Sequence, residues 1–203
     1  MTSAIKAIIF DFGGVLLDWN PHNLYQAYFP DQPQAIDEFL EEIDFYAWNA
    51  TLDQGHSFAE GVAELSAKFP HRAELIQAFA DNWGDSIKGE ITGTVKILYE
   101  LKAMGYPLYG LSNWSLETYP VIKDYPFIKE FDEVILSGKV GLIKPDPAIY
   151  HLLLSKIAYR AEECVFIDDS LVNVEAARDL GMMAIHFKSP EGLKRLLGEC
   201  GVL

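Results

Sequence analysis

Residues 7–16, Ala7-Ile8-Ile9-Phe10-Asp11-Phe12-Gly13-Gly14-Val15-Leu16, decide the fold. Ala7 to Phe10 form an apolar run too short for a helix of usual length. Rich in Ile and Phe and followed by glycines, the run reads as a buried strand. It ends on an acid, Asp11. Ligands of parallel α/β sheets bind just beyond the carboxyl ends of strands, so a carboxylate there is placed for chemistry. Gly13 and Gly14 admit backbone conformations closed to other residues and let a ligand come close. The same segment also fits a strand-end Asp that caps a turn. The rest of the chain chooses between the two.

Outward from this strand, Asn20-Pro21 signals a turn and a helix start. Residues 22 to about 84 then read as helix after helix. Leu24, Ala27 and Tyr28 recur at helical spacing, as do Ile36, Phe39, Leu40 and Ile43. Phe58, Val62, Leu65 and Phe69 form a third stripe, opened by Ser57 with Glu60 completing a capping box. Leu75, Ile76, Phe79, Ala80 and Trp83 form a fourth. The α/β pattern resumes near Gly89 with a helix over 92–104 stopped by Gly105. Strands are predicted over 106–111, 133–136, 164–167 and 183–187. Asp146-Pro147, Leu171 and Pro190 open the helices between and after them. The expectation is a Rossmann-like parallel α/β core (residues 1–14 and 89–203) with a small all-α cap subdomain (15–88) inserted after the first strand.

Composition bounds the partners. Thirty acids against 16 Lys and Arg give a formal charge of −14 over 203 residues. That field repels nucleic acid and anionic membrane, and an anionic substrate needs a local positive site. Cys164 falls in a predicted strand and Cys200 in the tail, so no disulfide framework is expected. No signal-peptide pattern opens the chain and no stretch approaches a membrane span. A soluble cytoplasmic protein is expected; nothing in the sequence sets its oligomeric state.

Three predicted strands share a design, an apolar run whose carboxyl end carries polar groups: Asp11, Ser112-Asn113 and Asp168-Asp169. Lys144 joins them just before a helix start. Right-handed parallel winding brings such ends to one edge of the sheet. If the three acids converge, each pair about 4 Å apart repels by roughly 4 kcal/mol at an effective dielectric of about 20. Lys144 offsets one charge, and a divalent cation offsets the rest. Mg²⁺ favours oxygen ligands and substrate phosphates. No His or Cys pair has zinc-like spacing. The competing reading of Asp168-Asp169, acids at a helix start, explains one acid better than two. The chemistry expected is attack of Asp11 on phosphorus, an aspartyl-phosphate, and its hydrolysis by water. Ser112, Asn113, Lys144 and the backbone N–H groups of Phe12 and Gly13 are expected to hold the phosphate oxygens.

With these residues in place the chain resembles the haloacid dehalogenase superfamily over nearly its whole length. Phe10-Asp11-Phe12-Gly13-Gly14-Val15-Leu16 is similar to the family's first motif and Leu111-Ser112-Asn113 to its second. Gly141-Leu142-Ile143-Lys144-Pro145-Asp146 is similar to its third and Phe166-Ile167-Asp168-Asp169-Ser170 to its fourth. Asn173 stands where the family often has Asp or Asn. The resemblance implies an α-helical cap, Asp11 as nucleophile, and Mg²⁺ held by Asp11, the Gly13 carbonyl and Asp169, with Asp168 a nearer or water-bridged ligand. The substrate implied is a small phosphorylated metabolite, for example a sugar phosphate.

One position departs from the pattern. Family phosphatases commonly carry an acid/base Asp two residues after the nucleophile, and this chain has Gly13. Asp18, His22, the substrate or water are the substitutes the sequence offers. Gly13 also keeps open a 2-haloacid dehalogenase, in which Asp11 attacks carbon without a metal. That reading needs a cation for the substrate carboxylate, and the cap's single arginine is Arg72. A third reading is a catalytically weak relative that binds phosphometabolites or a protein. Trp19, Trp48, Asn49, Asp53 and Trp114 are the candidates to face the site from cap–core junctions and strand ends.

Overall fold

A computed structural model describes residues 4–203. Its core is a five-stranded sheet, paired in parallel throughout. The elements run β1 (Ala7–Phe10), β2 (Leu17–Trp19), α1 (Pro21–Tyr25), α2 (Pro33–Glu42), α3 (Phe45–Asp53), α4 (Phe58–Lys68) and α5 (Ala73–Asp81). They continue through β3 (Ile87–Glu90), α6 (Thr92–Ala103), β4 (Leu108–Ser112), α7 (Tyr119–Ile122), β5 (Glu133–Leu136), α8 (Ser137–Val140) and α9 (Pro147–Lys156). The chain closes with β6 (Cys164–Asp168), α10 (Leu171–Asp179), β7 (Met183–His186) and α11 (Pro190–Glu199). The strand order is β5-β4-β1-β6-β7, so the opening strand lies at the centre.

Every residue of β1 is fully buried, as a central strand covered on both faces requires. Its side chains alternate between two cores. Ile8 and Phe10 join a cluster that continues through Phe12 and Leu16 into Tyr25, Phe39, Phe45 and Phe79 of the inserted helices. Ile9 joins Phe166, Ile149, Tyr150 and Val174 on the other face. The helical segment and one face of the sheet thus share a continuous apolar core.

The structure shifts several boundaries. The strand expected to begin at Tyr106 begins at Leu108, because Pro107 has no N–H to give a ladder; it runs on to Ser112. The first helix ends at Tyr25, short of Ala27 and Tyr28. Pro30 follows closely and disfavours helix at Phe29. Helix α3 carries Phe45, Trp48, Asn49 and Leu52 inward at helical spacing, a stripe the sequence reading did not name because a polar residue interrupts it. Strands β2 and β3 pair as a two-stranded antiparallel ribbon at the two ends of the helical segment. They are too short and too unevenly buried to show an alternation. Half of the expected capping box forms: Ser57 Oγ accepts from the Glu60 N–H at 3.2 Å, but the Glu60 carboxylate accepts from the Ser57 hydroxyl at 2.7 Å and not from the Ser57 backbone N–H.

Candidate active site

Strands β1, β4 and β6 are neighbours, so their carboxyl ends bring Asp11, Ser112 and Asp168 to one edge. Asp11 is only 7% exposed. Its Oδ1 accepts from the Phe12 N–H at 2.7 Å and Ser112 Oγ at 2.7 Å, and Lys144 Nζ lies 3.0 Å away. Three donors therefore pin one oxygen. Oδ2 accepts from no described residue, and Asp11 borders a cavity of about 390 Å³.

Lys144 is 3% exposed and spends all three ammonium hydrogens. They go to Asp11, to Asp168 Oδ2 at 2.7 Å and to the Leu111 carbonyl at 2.9 Å. Asn113 fixes the lysine's backbone: its Oδ1 accepts from the Lys144 N–H at 2.8 Å and its Nδ2 donates to the Lys144 carbonyl at 3.0 Å. Asp168 is fully buried, and both its oxygens are taken. Besides Lys144, it accepts from the Ser170 N–H at 2.8 Å and from Asn173 Nδ2 at 3.1 and 3.2 Å. Asp169, the next residue, is exposed on the cavity side, and its carboxylate accepts from no other described residue.

The electrostatics follow from this packing. Burial pushes the Asp11 carboxyl up to about 7; Lys144 opposes the shift, while Asp168 and Asp169 add to it. Asp169, though exposed to the cavity, is raised as well, by partial desolvation from the surrounding walls with Asp168 adding to it. Burial alone would lower Lys144, but Asp11 and Asp168 hold it above the ordinary lysine value. Asp11, Asp168 and Asp169 each bring a carboxylate oxygen within 4.8 Å of the others. Three acids and one lysine sum to −2, the charge a divalent cation cancels. Because Asp168 is saturated, Asp11 Oδ2 and the Asp169 carboxylate are the oxygens left for such an ion. Gly14 makes room for them: at φ +71°, a Cβ there would lie 2.2 Å from Asp169 Oδ2. An all-oxygen donor set of this kind suits Mg²⁺.

Of the other expected site residues, Phe12 points away from the cavity, edge-on to Phe127 at 6.4 Å between ring centroids, so only its backbone serves Asp11. Gly13 lines the cavity. Trp19, Asn49, Asp53 and Trp114 also line it, whereas Trp48 packs inside the helical segment and donates its Nε1–H to the Gly61 carbonyl. Asp18 and His22 do not line the cavity; His22 pairs with Asp37 instead. Arg72 pairs with Glu42, and no arginine lines the cavity. The sequence reading missed Tyr46 and Val172, and took Trp83 for core packing alone. Trp83 does pack edge-on to Trp114 at 5.2 Å, but both rings also wall the cavity. The indole N–H groups of Trp19 and Trp114 are buried without a partner among the described residues.

The family model of the haloacid dehalogenase-like hydrolases matches residues 5–181. Sesquiterpene phosphatase astK of Aspergillus oryzae is 28% identical, with 92% of this chain and 91% of that one aligned. Drimenol cyclase drtB of Aspergillus calidoustus is 26% identical over 95% of this chain, which spans only 36% of that longer protein. A HAD family enzyme of Bacteroides thetaiotaomicron, solved as a magnesium complex, superposes with a TM-score of 0.72 at 22% identity, covering 96% of this chain and 99% of that one. The parallel sheet, the four polar motifs at its edge and the family match together place this chain in the haloacid dehalogenase-like hydrolase family.

Proposed function

We propose that the protein is a magnesium-dependent phosphatase that hydrolyses a small phosphomonoester through an aspartyl-phosphate on Asp11. One observation carries the reading: Asp11 Oδ1 is pinned by three donors while Oδ2 is left free beside Asp169. A nucleophile held at one oxygen is oriented without losing the lone pairs of the other. Asp11, the Gly13 carbonyl and Asp169 would hold Mg²⁺, and the ion would neutralise phosphate charge and keep Asp11 ionised. Asp168 would act one step back, holding Lys144. Lys144 would thereby keep its positive charge beside the Asp11 carboxyl as that carboxyl becomes an acyl phosphate. The backbone N–H groups of Gly13 and Asn113 would take the remaining phosphate oxygens, while Ser112, whose one hydroxyl hydrogen goes to Asp11 Oδ1, would keep the nucleophile oriented. Asn113's side chain serves by fixing the Lys144 loop.

Residues 1–14 and 89–203 would form the catalytic core and 15–88 the cap that selects substrate. A cavity of about 390 Å³ suits a small metabolite, a sugar phosphate or a more apolar ester, rather than a folded phosphoprotein. No helix among the described residues is long and apolar enough to cross a membrane. With two free thiols and strong negative charge, a cytoplasmic enzyme without nucleic-acid partners fits.

The alternative, a 2-haloacid dehalogenase, draws on Gly13. It lacks support where the substrate carboxylate would bind, because Lys144 is fully committed and no arginine lines the cavity. The test reads phosphate release from sugar phosphates, nucleotides and alkyl phosphates in parallel with chloride release from 2-chloropropionate. Both run with Mg²⁺ and with chelator. Phosphate release that needs Mg²⁺, and that falls roughly 10⁴-fold or more in Asp11→Asn, is the expected result. Chloride release indifferent to chelator would overturn it.

A further inference from the structure

Gly13 leaves the proposed reaction without the acid that family members commonly place there. The glycine is not demanded by its backbone, since only Gly14 of the pair has a positive φ. A Cβ on Gly13 would meet Trp114 Cζ3 at 3.6 Å and Trp19 Cβ at 3.8 Å, ordinary van der Waals contacts, so the missing acid is a choice of the sequence and not forced by space.

The same cavity holds another acid. Asp53, the last residue of α3, lines it together with Asp11, Lys144 and Asp169. Its Oδ2 accepts from Asn49 Nδ2 at 2.8 Å, and among the described residues it has no ion-pair partner. The end of α3 is tied to the catalytic sheet by side-chain bonds. Ser137 Oγ, at the end of β5, donates to the Asp53 carbonyl and accepts from the Trp114 N–H at 2.8 Å. Gln54 Nε2 donates to the Gly141 carbonyl at 3.2 Å. A carboxyl group supplied by the helical segment is thus held in register with the sheet edge. Burial, with Asp11 adding to it, keeps this carboxyl well above the usual range against the pull of Lys144 and the Ser115 and Asn49 amides. Those two charged groups are the ones that act on it. A carboxyl buried beside another acid, with no cation of its own, destabilises the fold and calls for a use.

We propose that Asp53 is the general acid and base of the reaction, replacing the missing acid at position 13 from the opposite wall of the cavity. The inference rests on the phosphatase reading. In the first step an Asp11 oxygen bonds to phosphorus and the ester P–O bond breaks. The carboxyl proton of Asp53 goes to the leaving oxygen, which departs as the alcohol. In the second step water bonds to phosphorus and gives its proton to the Asp53 carboxylate. The P–O bond to Asp11 breaks, phosphate leaves, and both aspartates return to their starting states.

The test compares wild type, Asp53→Asn and Asp53→Glu, each with Mg²⁺, on aryl phosphates of increasing leaving-group pKa and on an alkyl phosphate. Nitrophenolate needs no proton to depart, whereas an alkoxide does. Asp53→Asn should therefore give a rapid burst of one nitrophenolate per site, followed by slow turnover. Its kcat/KM should fall by about 10²–10⁴-fold on the alkyl ester and far less on nitrophenyl phosphate. The burst counts folded sites, and Asp53→Glu should recover part of the loss. An equal loss across all leaving groups with no burst, or no loss at all, would overturn the assignment. Wild-type silence on the whole panel would sink the phosphatase reading and this proposal with it.

Discussion

The sheet edge and the helical segment that faces it hold the cavity between them in opposite ways. The edge packs Asp11, Lys144, Asp168 and Asp169 together and binds the first three through charged hydrogen bonds. The helical segment brings aromatic rings and a single carboxyl, Asp53, without a cation. The edge is rigid because each buried charge has a partner, and Lys144 with Asp168 is sealed from solvent. The segment is held by apolar burial: Phe45, Phe58, Trp48 and Phe79 pack ring on ring between 4.9 and 6.1 Å. Polar order locates the chemistry, and apolar order shapes the space around it.

Replacing Lys144 by Met tests the first half of that contrast. It strands two buried carboxylates, and should cost about 3–5 kcal/mol in urea unfolding. Phe79→Ala tests the other half and should cost about the same by leaving a cavity among the rings. Because one apolar cluster spans both regions, each variant should unfold in a single transition by both fluorescence and circular dichroism. Two separated transitions would break the picture of a shared core.

A smaller effect concerns the lone acid of the helical segment. Burial raises Asp53 from 3.8 to about 8, so the folded protein binds its proton more tightly than the unfolded chain does. The stability it contributes is complete below its unfolded value and is lost as pH rises through about 8. Metal-free wild type should lose about 2 kcal/mol more than Asp53→Asn between about pH 6 and pH 8. Parallel stability curves for the two would show that the carboxyl is not held protonated.

The smallest effect on stability belongs to Gly14→Ala. The left-handed backbone costs about 1–2 kcal/mol, and the added Cβ drives Asp169 from its place. Mg²⁺ affinity measured by calorimetry should fall about 10–100-fold, as when a group supporting a ligand is lost. Unchanged affinity would remove Asp169 from the metal site.

The sequence alone determined the parallel core and its polar edge. An apolar run ending in an acid is a local pattern, and strand winding brings such ends together with no further information. Asp11, Ser112, Asn113, Lys144, Asp168 and Asp169 meet at one edge as that pattern requires. Adjacent acids could not be told apart until packing was known. Asp168 closes a strand between two neighbours and is sealed against Lys144 and Asn173, whereas Asp169, one residue on, faces out. Tertiary structure alone also decided which candidates of the opposite wall meet the cavity. The sequence offered Trp48, Asn49 and Asp53 together, and only the docked helix turns Asn49 and Asp53 to the cavity, Trp48 away from it, and adds Tyr46. The ties from Ser137 and Gln54 that dock it join residues 84 and 87 positions apart, contacts that no local periodicity encodes.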